Sequence, residues 1–122
     1  MSQPKLEGVR CQTPISCSAS GDNILIAAPG AGQYIAIDFI AFIPNSAVTA
    51  TFKSGSTAIS GAMSLSANQG LVFDNSAQIQ EGILKKPTVG RVGNAEAFIL
   101  NLGGAVQVSG TISYRIVGYK QI

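Results

Sequence analysis

Histidine and tryptophan are missing from this 122-residue chain, and charge is scarce: eight Lys and Arg with six Asp and Glu make up 11% of it, where a soluble domain usually carries about 25%. Without histidine the commonest general base, the commonest metal ligand and every Ser–His arrangement are gone. The six carboxylates are spread over the whole chain, and Asp38 and Asp74 each stand alone among apolar neighbours. Two cysteines without histidine cannot complete a tetrahedral zinc site. No catalytic, cofactor-binding or metal-binding set is expected, and no enzyme.

Long hydrophobic runs are also absent. The longest, Ile35 to Ile43, is broken by Asp38 and falls far short of the ~20 residues that span a bilayer as a helix, so no membrane partner is expected. The start Met1-Ser-Gln-Pro-Lys-Leu-Glu-Gly8 has no apolar region behind a basic one, so it is not a signal peptide, and the expected compartment is a cytoplasm. Basic residues are scattered, with only Lys85 and Lys86 adjacent. Nucleic-acid binders gather such residues into a stripe that displaces counterions, so nucleic acid is not an expected partner either. Cys11 and Cys17 would lie about 20 Å apart in an extended strand, well beyond disulfide reach. Two buried thiols are expected rather than a bridge.

What is present is alternation with period two. Val9, Cys11, Thr13, Ile15 and Cys17 oppose Arg10, Gln12, Ser16 and Ser18, predicting a first strand near 8–18. A short strand follows at Asn23–Ala27, and Tyr34 to Ile43, apolar on both faces apart from Asp38, reads as a central strand. Val48, Ala50 and Phe52 face inward, and after the turn Ser54-Gly-Ser-Thr57 the set Ile59, Gly61, Met63 and Leu65 continues that face as a hairpin. Short strands are expected at Leu71–Asp74 and Ile79–Leu84, a long exposed loop at 85–94, and strands carrying Phe98, Leu100 and Leu102 and then residues 106–117. The fold class is therefore all-β: a single antiparallel two-sheet sandwich, jelly-roll or Ig-like, of about eight or nine short strands. Residues 1–7 are expected to be a flexible N-terminal arm and 8–122 the β-sandwich domain.

Three stretches carry a family resemblance. They are Val48-Thr-Ala-Thr-Phe-Lys-Ser-Gly-Ser-Thr-Ala-Ile-Ser-Gly-Ala-Met-Ser-Leu-Ser-Ala-Asn-Gln-Gly70, Ala95-Glu-Ala-Phe-Ile-Leu-Asn-Leu102 and Ala105-Val-Gln-Val-Ser-Gly-Thr-Ile-Ser-Tyr114. Through them the segment from Ile35 to Val117, about two-thirds of the chain, resembles the capsid decoration or cement proteins of tailed bacteriophages, small β-sandwich virion proteins. The resemblance implies a subunit, usually a symmetric trimer or dimer, that binds the major capsid protein on the outer capsid surface and clamps neighbouring capsomers. It implies no cofactor.

Sparse charge fits such a role, because a folded chain of this size exposes roughly 6,000 Å² and a freely diffusing monomer normally keeps that surface charged. A homo-oligomer is expected, a trimer first and a dimer second. The expected capsid-contact residues are Lys5, Leu6 and Arg10 in and beside the arm, and Lys85, Lys86 and Arg91 in the 85–94 loop. The alternative is a receptor- or glycan-binding module of a phage tail or fibre. Against it, sugar sites stack aromatic rings, and here there is no Trp and only Tyr34, Tyr114 and Tyr119.

Overall fold

The computed structural model describes residues 10–74, 90–93 and 95–118. Among them are ten strands and no helix: β1 (Cys11–Cys17), β2 (Gly21–Ile26), β3 (Gln33–Pro44), β4 (Val48–Ser54), β5 (Thr57–Ala58), β6 (Met63–Leu65), β7 (Leu71–Asp74), β8 (Gly90–Arg91), β9 (Phe98–Leu102) and β10 (Val108–Gly118). All pair antiparallel, in two sheets. Sheet A runs β1-β10-β3-β7, with β8 beside β7 on the same edge of β3. Sheet B runs β2-β9-β4-β5, with β6 further along the same edge of β4.

The pairs nest. β1 meets β10, β2 meets β9, β3 meets β7 and β8, and β4 meets β5 and β6. An antiparallel ribbon wound in this way into two sheets, each four strand positions wide, is a jelly roll. The expected two-sheet sandwich is present, and its strand order decides for the jelly roll over the Ig-like arrangement.

Alternation places the core. Ile15, Ile35, Ile37, Ile40, Phe42 and Ile112 from sheet A are buried against Ala50, Phe52, Phe98, Leu100 and Leu102 from sheet B. Each such aliphatic or phenyl side chain contributes about 1.5–3 kcal/mol when fully buried. Phe52 is central to the packing: its ring stacks on Phe98 at 5.3 Å and meets Phe42 and Phe73 edge-on, each at 5.9 Å. The two longest strands, β3 and β10, approach very closely at Gly110. A Cβ there would come within 1.9 Å of the Ala41 carbonyl oxygen, so only glycine fits.

Three irregularities depart from the plain alternation. Between Ser113 and Tyr114 the β10–β3 register shifts by one, which leaves Asp38 as an extra residue of β3 and forms a bulge. In β2 the register shifts between Ile24 and Ile26. The third lies between β5 and β6: Lys53 pairs with Ala58, but Ala50 pairs with Met63, so two more residues are used on the return side than a continuous hairpin needs. Residues 59–62 leave the ladder, with the Ile59 amide still donating to the Phe52 carbonyl and the Phe52 amide donating to Ser60 Oγ.

That third bulge corrects one expectation. Ile59 does not continue the inward face; it is 47% exposed, and Gly61 is exposed beside it. A second correction concerns the loop expected at 85–94. Gly90–Arg91 forms β8 against Ala36 and Ile37, and Val92 is buried in the core, its amide donating to the Ile35 carbonyl. Gly93 sits close against Glu96 and Ser54, where an added Cβ would come within 2.7 Å of Glu96 Oε1. Among the described residues there are ten strands, where eight or nine were expected, because the β4 partner is split in two and β8 was read as loop. The arm at 1–7 and the strand expected at 79–84 lie outside the described residues.

Candidate interaction surface

Paired positions of neighbouring strands share a face, so the register divides each sheet into an inner and an outer side. On the outer side of sheet A, Pro14, Thr111, Ala41 and Val72 form one row across all four strand positions. Ser16, Ser109 and Ile43 form the next row, and Gln12, Ser113, Phe39 and Asp74 the row before. Of these eleven residues only Asp74, at the β7 end of its row, is of a charged type. Gln12 Nε2 donates to Thr111 Oγ1 at 3.0 Å, while Gln107 Nε2 reaches Ser16 Oγ and Ser109 Oγ at 3.3 and 3.2 Å. Two apolar side chains stand out of this hydroxyl and amide surface: Val72, 61% exposed, and Ile43, 42% exposed.

The other charged residues of this face gather at its far end. Asp38, displaced by its bulge, and Arg115 are each only 2% exposed. Arg115 Nε donates to both Asp38 oxygens at 3.1 and 2.9 Å, and Arg115 Nη2 donates to Oδ1 at 2.8 Å. The guanidinium fork matches the carboxylate, as buried arginine pairs require. Asp38 therefore does not stand alone, as its apolar neighbours in sequence suggested; its partner is 77 residues away. Arg10, on the strand edge beside them, places Nε 3.3 Å from Asp38 Oδ2 while its side chain stays 61% exposed.

The outer side of sheet B is built differently. Asp22 on β2 accepts from Asn101 Nδ2 on β9 at 2.7 Å and from Lys53 Nζ on β4 at 3.1 Å, a clamp across three strands. The hydrogen bonds from Asn101 and Lys53 hold the Asp22 carboxyl below the usual aspartate range. Ile24, 66% exposed, stands out of that face beside its register partner Ile99.

At the rim of the two sheets, Ser54 is 4% exposed. Its hydroxyl donates to Glu96 and accepts from the Gly93 amide, which ties the loop before β9 to the end of β4. Among the described residues, no group of three or more side chains that could hold a metal comes together.

Of the residues expected to contact a capsid, Arg10 is exposed at the edge of sheet A and engaged with Asp38. Arg91 is a strand residue opposite Ala36 rather than a loop residue. Lys5, Leu6, Lys85 and Lys86 lie outside the described residues. Both cysteines are thiols, but only Cys17 is sheltered: Cys11 is exposed, and burial pushes the Cys17 thiol up. The uncharged rows of sheet A were not read from the sequence. Their signal was there in the polar members of each alternation, which are Ser, Thr, Gln and Pro rather than Lys or Glu. Neither protein-family models nor curated proteins match this chain.

Proposed function

We propose that this chain is a virion structural protein of a tailed bacteriophage, a decoration or cement subunit that binds the major capsid protein on the outer capsid surface and clamps neighbouring capsomers. The observation that carries the proposal is the outer face of sheet A, with its two uncharged rows and the exposed Val72 and Ile43. Such a face suits burial against protein, because the centres of protein interfaces are depleted of charge and neutral groups cost less to desolvate than charged ones. The jelly roll is compatible with this role, being used in viral capsid proteins and in lectins alike, so the face rather than the fold supports the reading. Subunits act as a homo-oligomer, a trimer in first place.

The test adds the purified protein to phage capsids that lack it and counts bound copies. Saturable decoration, weakened by Val72→Lys and Ile43→Lys, is the expected result. Failure to bind any capsid, together with binding to host-surface glycans, would transfer the protein to the receptor-binding alternative.

A further inference from the structure

The bulge between β5 and β6 opens the side of the sandwich. Had the hairpin continued in register, Ile59 and Gly61 would have pointed between the sheets. Because residues 59–62 leave the ladder, a cleft of about 410 Å³ remains in their place. Its floor is Ile40 and the rings of Phe52, Phe73 and Phe98, and its mouth is Ile59, Ala62 and Met63. We propose that this cleft is a binding site for an uncharged, largely hydrocarbon or aromatic small molecule. This goes beyond the capsid role and does not depend on it.

Size, chemistry and construction all favour that occupant. Ligand sites commonly measure 300–1,000 Å³ and are lined by hydrophobic and aromatic groups. A dry cavity of about 150 Å³ holds benzene, so 410 Å³ accommodates a molecule of roughly 15 non-hydrogen atoms. A helix is about 10 Å across and rises 5.4 Å per turn, so a single turn of a partner's helix would already fill the space. Among the described residues that line the cleft none is charged, and Ser60 is the only one with a polar side chain. Its hydroxyl is already used, accepting from the Phe52 amide and donating to the Gly61 carbonyl. An ionic headgroup would be buried without a counter-charge, a large cost. Bulges recur where a strand is bent to shape a site, and this one removes two inward positions opposite a cluster of phenyl rings.

The experiment titrates the full folded chain with N-phenyl-1-naphthylamine, an uncharged dye that fluoresces in apolar surroundings. One dye per chain is expected, with a Kd between about 1 and 100 µM, and saturating dye should raise the melting temperature. Ile59→Ser and Ala62→Glu, both at exposed positions of the mouth, should each weaken binding at least fivefold without loss of the fold. Val72→Ser, on the outer face of sheet A, should leave binding unchanged. Absence of saturable binding, or binding that ignores the two mouth variants, would overturn the proposal. So would binding that develops only after Ile83→Ser and Leu84→Ser, because the cleft would then belong to the chain's own residues.

Discussion

At the scale of single residues, the Asp38–Arg115 pair has the highest stakes. Both side chains are 2% exposed, so water screens little of their interaction, but little hydration of either charge survives. In such a pair the attraction roughly offsets desolvation, whereas removing one partner leaves a buried charge uncompensated at a cost of about 3–5 kcal/mol. Asp38→Asn should therefore destabilise the fold by that amount in chemical denaturation. The joint replacement Asp38→Leu with Arg115→Met should recover most of the loss. Equal losses in the single and double variants would show that the pair itself, and not the orphaned charge, carries the stability. Arg10→Ala should cost at most about 1 kcal/mol, since its side chain is largely in solvent. The cysteines offer a second residue-scale test. Cys11 is exposed, while Cys17 is half-buried and its thiol is pushed up by that burial. Thiolate is the reactive form, so a thiol reagent near pH 8 should modify Cys11 quickly and Cys17 slowly, with both accessible after denaturation. Two equally slow thiols would contradict the exposure of Cys11.

At the scale of elements, strands were legible and their partners were not. Period-two alternation marked β1, β4, β9 and β10 within a few residues, because one buried face imposes that pattern, and β3 was marked by a run apolar on both faces. Alternation says nothing about which strand lies alongside, so the nested order of the jelly roll and the meeting of Asp38 with Arg115 had to come from the fold. Bulges defeat the pattern by design: the one extra residue at Asp38 flips the phase of β3, while the two extra residues at 59–62 leave the ladder and keep the phase beyond them, so Ile59 was placed inside although it stands out of the sheet. β8 was hidden by its two-residue length between glycines. The edges of the sheets carry a lesson of their own. Among the described residues β1 is an edge of sheet A, and Pro14 at its middle cannot donate to an added strand. Sheet B's edge strands are interrupted, β2 by its register shift and β5–β6 by the gap between them. Such edges resist pairing with other chains. Pro14→Val should open β1 and raise the fraction of large aggregates in light scattering, while leaving the melting temperature of the soluble fraction nearly unchanged. On the sheet B face, the Asp22 clamp links β2, β9 and β4. Its folded-state pKa is lowered, so its stabilisation is present above the unfolded value of about 3.9 and fades as pH falls through the lower folded value. The melting-temperature gap between wild type and Asp22→Asn should hold from pH 7 to about 5 and narrow as pH falls below the unfolded value of about 3.9.

At the scale of the whole molecule, blocked edges and the uncharged rows of sheet A direct association to faces. The uncharged part of sheet A spans four strands about 4.8 Å apart and about five residues at 3.3 Å each, or roughly 300 Å². Stable interfaces bury about 800 Å² per partner, so one face of one subunit is too small to hold a capsid alone. On the proposed capsid role, retention on a lattice would come from several subunits linked in an oligomer, whose joint attachment exceeds any single contact by about 10² to 10⁴. A trimer should therefore be seen by light scattering after size exclusion at tens of micromolar protein. Its binding to capsids should fall much more steeply on dilution below the trimer's dissociation range than a simple one-site isotherm allows. Because the two rows around Val72 and Ile43 carry no charge, raising salt from 0.05 to 0.5 M should change attachment by no more than about twofold, whereas contacts built on exposed ion pairs would be screened. Attachment that collapses in high salt would move the contact to the basic residues, Arg10 among them. A persistent 12.5 kDa monomer that still decorates capsids fully would show that a single subunit buries far more surface than this face provides.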